Sequence, residues 1–250
     1  MRLADKVAIV TGAGAGIGRA ISQELAAAGA RVIGCDLDRA SMDEVHQAIT
    51  RQGGFFLPLV ADVRHRADVE QLVQAALGAF GRLDIVVNNA GIMDGFTPLT
   101  ELDDGLWERV LGVDLHGPMY VSRAVLPTMV AQQSGVIVNI ASIAGLFGGR
   151  AGVAYTVAKH GLVGLTRSIA WHYASDGIRC IAICPGGVDS GMPIGTLHPD
   201  GWARVQSLLM SMPRAGSPDE LGRLVSALVS DDASYLNGAI ITADAAWTAG

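Results

Sequence analysis

The sequence predicts a doubly wound α/β domain, a parallel sheet covered by helices on both faces. Short β-rich apolar runs alternate with helical patterns along the chain. The runs lack polar alternation, as strands buried on both faces do in a parallel sheet. No repeat, low-complexity tract or linker interrupts residues 1–250, so one domain is expected.

The elements follow in order. A strand is expected over 7–10; Ile17, Ile21, Leu25 and Ala28 then repeat at helical spacing and stop at Gly29. Strand 31–35 leads to a helix over 41–51, and strand 55–60 to a helix over 67–80 closed by Gly81. Strands 85–87 and 136–140 flank one long helical segment over 104–130. A helix over 152–173, a strand over 179–183, a helix over 218–230 and a strand over 239–242 complete the chain. The stretch 190–213 is too long for an ordinary connection and carries Met192, Ile194, Leu197, Trp202, Leu208, Leu209, Met210 and Met212. Its place beyond a strand's C-terminal end suits an apolar lid over a ligand. A packing arm for another subunit is the alternative.

Composition excludes several classes. Eighteen basic against 24 acidic residues give a net charge of −6, with no basic footprint for nucleic acid. Half the residues are hydrophobic, which rules out a disordered chain. Gly numbers 32 of 250, close to twice the roughly 7% of average proteins, and charged residues stand at 17% against roughly 25%. That pairing suggests tight turns and a surface buried in an oligomer. Three Cys form no disulfide framework, and Cys35, Cys180 and Cys184 read as small buried apolar groups. The N-terminus lacks an apolar signal-peptide core. The uncharged stretch 124–149 is broken by Gln132-Gln133-Ser134-Gly135, so it reads as a helix end plus a buried strand, not a membrane span. A cytoplasmic protein is expected. The six His show no metal-ligand spacing, so no metal is expected, and His160 faces away from its neighbour Lys159.

Two groups of residues suggest chemistry. Thr11-Gly12-Ala13-Gly14-Ala15-Gly16-Ile17-Gly18 joins the first strand to the first helix, with glycines spaced G-x3-G-x-G. Such a turn lets the backbone approach a pyrophosphate, whose charge meets free N–H groups at the helix N-terminus. Asp36, eighteen residues after Gly18, ends the second strand. A carboxylate there accepts from both adenosine ribose hydroxyls and repels a 2′-phosphate, and Ala15 offers no cation to attract one, so the implied cofactor is NAD and not NADP. Alternatively, Asp36 or Asp38 caps the following helix. Further along, Tyr155 and Lys159 lie four apart on one helix face, thirteen and seventeen residues after Ser142. A phenol with a pKa near 10 is a poor base at neutral pH. A neighbouring ammonium favours the phenolate and lowers that pKa, giving a group that exchanges a proton with an alcohol or ketone. Ser142 would donate a hydrogen bond to the substrate oxygen.

Together with Asn88-Asn89-Ala90-Gly91 and Pro185-Gly186, these motifs resemble the short-chain dehydrogenase/reductase family over essentially the whole chain. The resemblance implies a Rossmann fold of about seven strands, NAD(P)-linked oxidoreduction without a catalytic metal, and commonly a homotetramer. It implies that Asp62 and Val63 contact the adenine, and that Asn88 steadies the fourth strand beside the cofactor. Ala90 and Gly91 would line the adenosine ribose, Lys159 would hold the nicotinamide ribose, and Pro185, Gly186, Val188 and Ser190 would flank the nicotinamide. Three positions depart from the pattern. Asp114 stands where the family usually carries its fourth catalytic residue, an Asn; Ile181 replaces another Asn; Ala245-Ala246 replaces Gly-Gly.

The resulting expectation is an NAD-dependent oxidoreductase that interconverts an apolar secondary alcohol and a ketone. Tyr155 is the general acid/base, Ser142 polarises the carbonyl, and Lys159 tunes the tyrosine. A 3-oxoacyl thioester reductase of fatty-acid metabolism is one alternative, against which Asp36 and the net charge both lean. A catalytically weak nucleotide-binding scaffold is another, which the substitution at Asp114 keeps open. Arg150 is suited either to a substrate carboxylate or carrier protein, or to a surface or interface.

Overall fold

The computed structural model describes residues 2–249. Its strands are β1 (Val7–Thr11), β2 (Arg31–Asp36), β3 (Phe55–Val60), β4 (Ile85–Asn88), β5 (Gly135–Ile140), β6 (Ile178–Pro185) and β7 (Ile240–Ala243). The helices are α1 (Gly16–Ala27), α2 (Arg39–Arg51), α3 (Arg66–Phe80), α4 (Asp104–Leu111), α5 (Gly117–Gln132), α6 (Val153–His172), α7 (Pro199–Met210) and α8 (Pro218–Leu228). All seven strands are parallel, in the order β3-β2-β1-β4-β5-β6-β7. The strand order reverses between β1 and β4, which opens a crevice at their C-terminal ends.

Alternate side chains of each central strand feed opposite layers. Ala8 and Val10 of β1 pack with Ile21 and Leu25 of α1, Val45 of α2 and Val225 of α8. Val7 and Ile9 pack on the other side with Leu72 of α3, Val121 and Val125 of α5 and Ile169 of α6. Every residue of β1 and β4 is buried, which explains why neither strand alternates with polar residues.

The polar exceptions form a chain through the core. Asn88 donates to Ser122 Oγ at 3.2 Å and to Asn139 Oδ1 at 2.8 Å. Asn139 in turn donates to Thr166 Oγ1 at 2.8 Å. These bonds join β4, β5, α5 and α6 just below the crevice.

Two expectations need correction. The segment expected as one helix over 104–130 is two helices joined by a single π turn, Gly112–His116. The Gly117 N–H reaches five residues back to the Gly112 carbonyl. Pro118 has no N–H to offer the Asp114 carbonyl, so the ordinary ladder cannot pass this point. The stretch 190–213, expected as a lid, also has secondary structure of its own. His198 caps α7 by accepting from Gly201, Pro199 occupies the first turn, and Trp202 packs edge-on against Phe96 with ring centroids 5.4 Å apart. The lid is rich in methionine, with Met210 83% exposed at the helix end.

Candidate active site

A cavity of about 340 Å³ opens at the C-terminal ends of the central strands. It brings together Gly12, Gly16, Ile17, Asp36, Ala90, Gly91, Ser142, Tyr155, Lys159, Pro185, Gly186, Val188 and Ser190, joined by Met192 and Pro193 from the lid. Gly18, Asn88 and Asp114 lie behind its wall. Asp62 and Val63 lie outside its lining: the Asp62 carboxylate is gripped by Arg64, whose hydrogen bonds hold its pKa below the usual range, and Val63 packs close to Gly117.

The glycine turn is shaped by close approaches. Gly16 has φ +50°, and a Cβ there would lie 2.6 Å from the Ser190 carbonyl oxygen. A Cβ on Gly18 would collide with the Gly12 carbonyl, so α1 can pack this tightly on β1 only with glycine at that position. No side chain caps α1, which leaves its first N–H groups for an anion. Asn89 holds the turn from outside by donating to the Thr11 and Gly12 carbonyls at 3.0 and 3.1 Å.

Asp38, not Asp36, caps α2: its side chain accepts from the Ala40 N–H. Asp36 instead turns toward the cavity and accepts from the Gly14 N–H at 3.0 Å and the Leu37 N–H at 2.7 Å. Hydrogen bonds from the backbone thus fix a carboxylate beside the glycine turn.

Tyr155 and Lys159 project from one face of α6, 7% and 3% exposed. Lys159 Nζ donates to the Ile140 carbonyl at 3.0 Å and lies 3.1 Å from Asp114 Oδ2 and 5.3 Å from the centre of the Tyr155 ring. The other Asp114 oxygen accepts from the Ile92 N–H at 2.9 Å. Ser142 ends β5's extension and caps the short turn after it by accepting from Ala144 at 3.1 Å.

The electrostatics differ from the sequence expectation. Lys159 does pull the Tyr155 pKa down, but burial pushes harder in the opposite direction, Asp114 adds to that push, and the net shift is upward. Burial likewise raises Asp114 against the pull of Lys159 and the Ile92 N–H. Lys159 is depressed by burial but raised more by Asp114 and Tyr155, so it keeps its proton. Tyr155 is therefore a protonated phenol at neutral pH.

The other singled-out residues lie elsewhere. His160 is exposed, and its Nδ1 lies 2.9 Å from the Thr156 carbonyl oxygen of its own helix. The Arg150 guanidinium stacks on Trp247 at 4.8 Å. Burial pushes the Cys35 and Cys180 thiols up to about 12 and Cys184 to about 11. Among the described residues, no group of three or more His, Cys, Asp or Glu is placed to hold a metal ion, and no helix is long and apolar enough to cross a membrane. Asn89 and Asp94 were not singled out from the sequence. Asn89 sits inside a noted motif, whereas the Asp94 side chain, besides a local bond from the Phe96 N–H, has its helix partners 58 and 61 residues away, where no local pattern shows them.

Residues 6–198 match the short chain dehydrogenase family. The 3beta-hydroxysteroid dehydrogenase 2 of Eggerthella lenta is 40% identical over 250 residues, spanning 99% of this chain and 96% of its own. The cis-4-hydroxycyclohexanecarboxylate dehydrogenase of Sinomonas cyclohexanicum is 38% identical over 246 residues, 98% of each chain. The crystal structure of levodione reductase superimposes with a TM-score of 0.92 at 34% identity, covering all of both chains.

The buried carboxylate generates a prediction. Asp114→Asn removes an anion that disfavours the phenolate, so Tyr155 should ionise at lower pH than in the parent protein. Tyrosinate absorbance, titrated against a Tyr155→Phe control, measures this; an unchanged midpoint would show that Asp114 is uncharged in the parent, and a higher one would overturn its action as an anion on the phenol.

Proposed function

The chain belongs to the short-chain dehydrogenase/reductase family, and on that premise we propose that it is an NAD-linked enzyme interconverting an apolar secondary alcohol and a ketone. The observation that carries this reading is that the glycine turn, Asp36, Ser142, Tyr155 and Lys159 all line one cavity. The residues present fit a dinucleotide: the glycines leave room for a pyrophosphate against the uncapped start of α1, and Asp36 offers a carboxylate to ribose hydroxyls. When bound, the nicotinamide supplies or accepts the hydride. Gly12, Gly16, Ile17, Ala90, Gly91, Pro185, Gly186, Val188 and Ser190 are its proposed contacts within the cavity.

In the reducing direction Tyr155 gives its phenolic proton to the carbonyl oxygen, while the Ser142 hydroxyl donates to the same oxygen. The raised Tyr155 pKa suits it to act as the acid. Two of the three Lys159 N–H groups face Ile140 and Asp114, which leaves the third for a ribose hydroxyl. Asp114 holds that ammonium in place. Met192 and Pro193 at the cavity, and the apolar lid behind them, support an apolar substrate. Two relatives are named for a hydroxysteroid and for cis-4-hydroxycyclohexanecarboxylate, which favours an alcohol carried on a saturated ring.

The reading extends to a homotetramer. An apolar groove between α5 and α6, lined by Met119, Leu126, Val130, Leu165 and Tyr173, supports it, as do the exposed Val157, Trp171 and Tyr235.

Assays with cyclohexanone and a 3-ketosteroid, each with NADH and NADPH, test the function. The kcat/KM should favour NADH by about tenfold or more, roughly 1.4 kcal/mol per tenfold, and Asp36→Ala should narrow the ratio. Tyr155→Phe should lose turnover while binding NADH normally by fluorescence. Equal use of both cofactors, or a Tyr155→Phe variant with more than a few per cent of parental kcat, overturns the assignment. Light scattering at micromolar concentration should give four times the 25.9 kDa chain mass; a monomeric mass refutes the assembly.

A further inference from the structure

We propose that Asp94 is a positioning residue that aims Tyr155 and ties the start of α6 to the lid. The proposal rests on the reading of Tyr155 as the proton-transfer group.

The first turn of a helix has N–H groups without helical partners, and a side chain at the capping position ordinarily accepts from them. The capping position of α6 is Gly152, which has no side chain to offer. Asp94 supplies the missing acceptor from the loop after β4. Its Oδ1 accepts from the Gly152 N–H and its Oδ2 from the Tyr155 N–H, both at 3.0 Å. Oδ1 accepts as well from the Phe96 N–H at 3.2 Å; Asp94 is 2% exposed, so the carboxylate is committed to these three donors, and its charge suits the positive end of the helix. Glycine at 152 is required for the approach, since a Cβ there would lie 2.5 Å from both carboxylate oxygens. One of the two bonds to α6 ends on the backbone of Tyr155 itself, so the carboxylate sets where the phenol stands.

The next three residues reach both ways. The Thr97 carbonyl accepts from the Val153 N–H at 3.1 Å, a further donor of the same helical turn. On the other side, the Gly95 N–H donates to the Ile194 carbonyl at 3.0 Å, and the Gly95 carbonyl accepts from the His198 N–H at 2.8 Å. Phe96 packs against Trp202. Phe96 also has φ +62°, a conformation costly for a bulky side chain that persists only where its surroundings fix it. The segment from Asp94 to Thr97 is thus bonded to the turn carrying Tyr155 and to the lid. A lid that moves away loosens the same short segment that places the phenol.

Asp94→Asn tests this without emptying the site. The amide keeps one acceptor oxygen but turns an NH2 toward at least one of the three N–H donors. Expected are faster amide hydrogen exchange at residues 152–155 and a kcat at least tenfold lower per NADH-binding site, on whichever of the two ketones turns over faster. The Kd for NADH should stay within about twofold, a split that general loss of folding does not produce. Trp202→Ala, on the lid and outside α6, should also lower kcat, and the double variant should lose less than the product of the two single losses. A kcat within twofold of the parent in Asp94→Asn, or a fall matched by lost NADH-binding sites, overturns the positioning role. Multiplying losses overturn the tie to the lid. Exchange at 152–155 is read without turnover, and an active Tyr155→Phe variant would overturn only the reading of Tyr155.

Discussion

An ammonium and a carboxylate face each other at 3.1 Å with almost no access to water. Removing either charge from solvent costs several kcal/mol, and neither is tolerable there alone. Lys159 and Asp114 therefore fix each other, and with them the segments that bring them together. Lys159 is also held by the end of β5, and Asp114 by the loop after β4. The π turn is part of the same constraint, because the extra residue in that turn lies where Asp114 enters the wall of the cavity. Four segments distant in sequence meet at one buried pair, and the tyrosine stands beside it.

Around this pair the structure separates two tasks. The glycine turn and Asp36 present N–H groups and a carboxylate to one end of the crevice, using mainly backbone to set their geometry. The other end is built from side chains on β5 and α6, supported from below by the Asn88–Asn139–Thr166 hydrogen bonds. A hydrogen-bonded polar chain in a core specifies one arrangement of its strands and helices more sharply than apolar packing does, although here Asn88 Oδ1 itself has no partner. That rigidity suits a site whose side chains must hold short, fixed distances.

Much of this was legible in the sequence, and what was not has physical reasons. The strands of the sheet are local apolar runs, and the glycine turn is a local pattern, so both could be read from neighbours in the chain. The interruption between α4 and α5 was hidden because a π turn adds one residue without breaking the apolar pattern on either side; Pro118 was the signal for it. Helix α7 was hidden in a stretch read as cover, where only Pro199 marked a start. Asp62 is expected at the adenine from the family resemblance, and that expectation did not include its pairing with Arg64 two residues on. The upward net shift of Tyr155 required knowing how deeply α6 is buried, which spacing alone does not report.

The deep burial of the three thiols has a consequence for chemical ageing. A thiol with a pKa near 12 is ionised in only about one molecule in a hundred thousand at neutral pH, and thiolate is the form that oxidants attack. Sulfur chemistry is thereby moved from cysteine to methionine, and Met192 and Met210 stand exposed in the lid. Conversion of either thioether to its sulfoxide puts a polar, stiffer group on the apolar cover. Peroxide damage to this protein would begin at the stretch beside the cavity and not at its sheet.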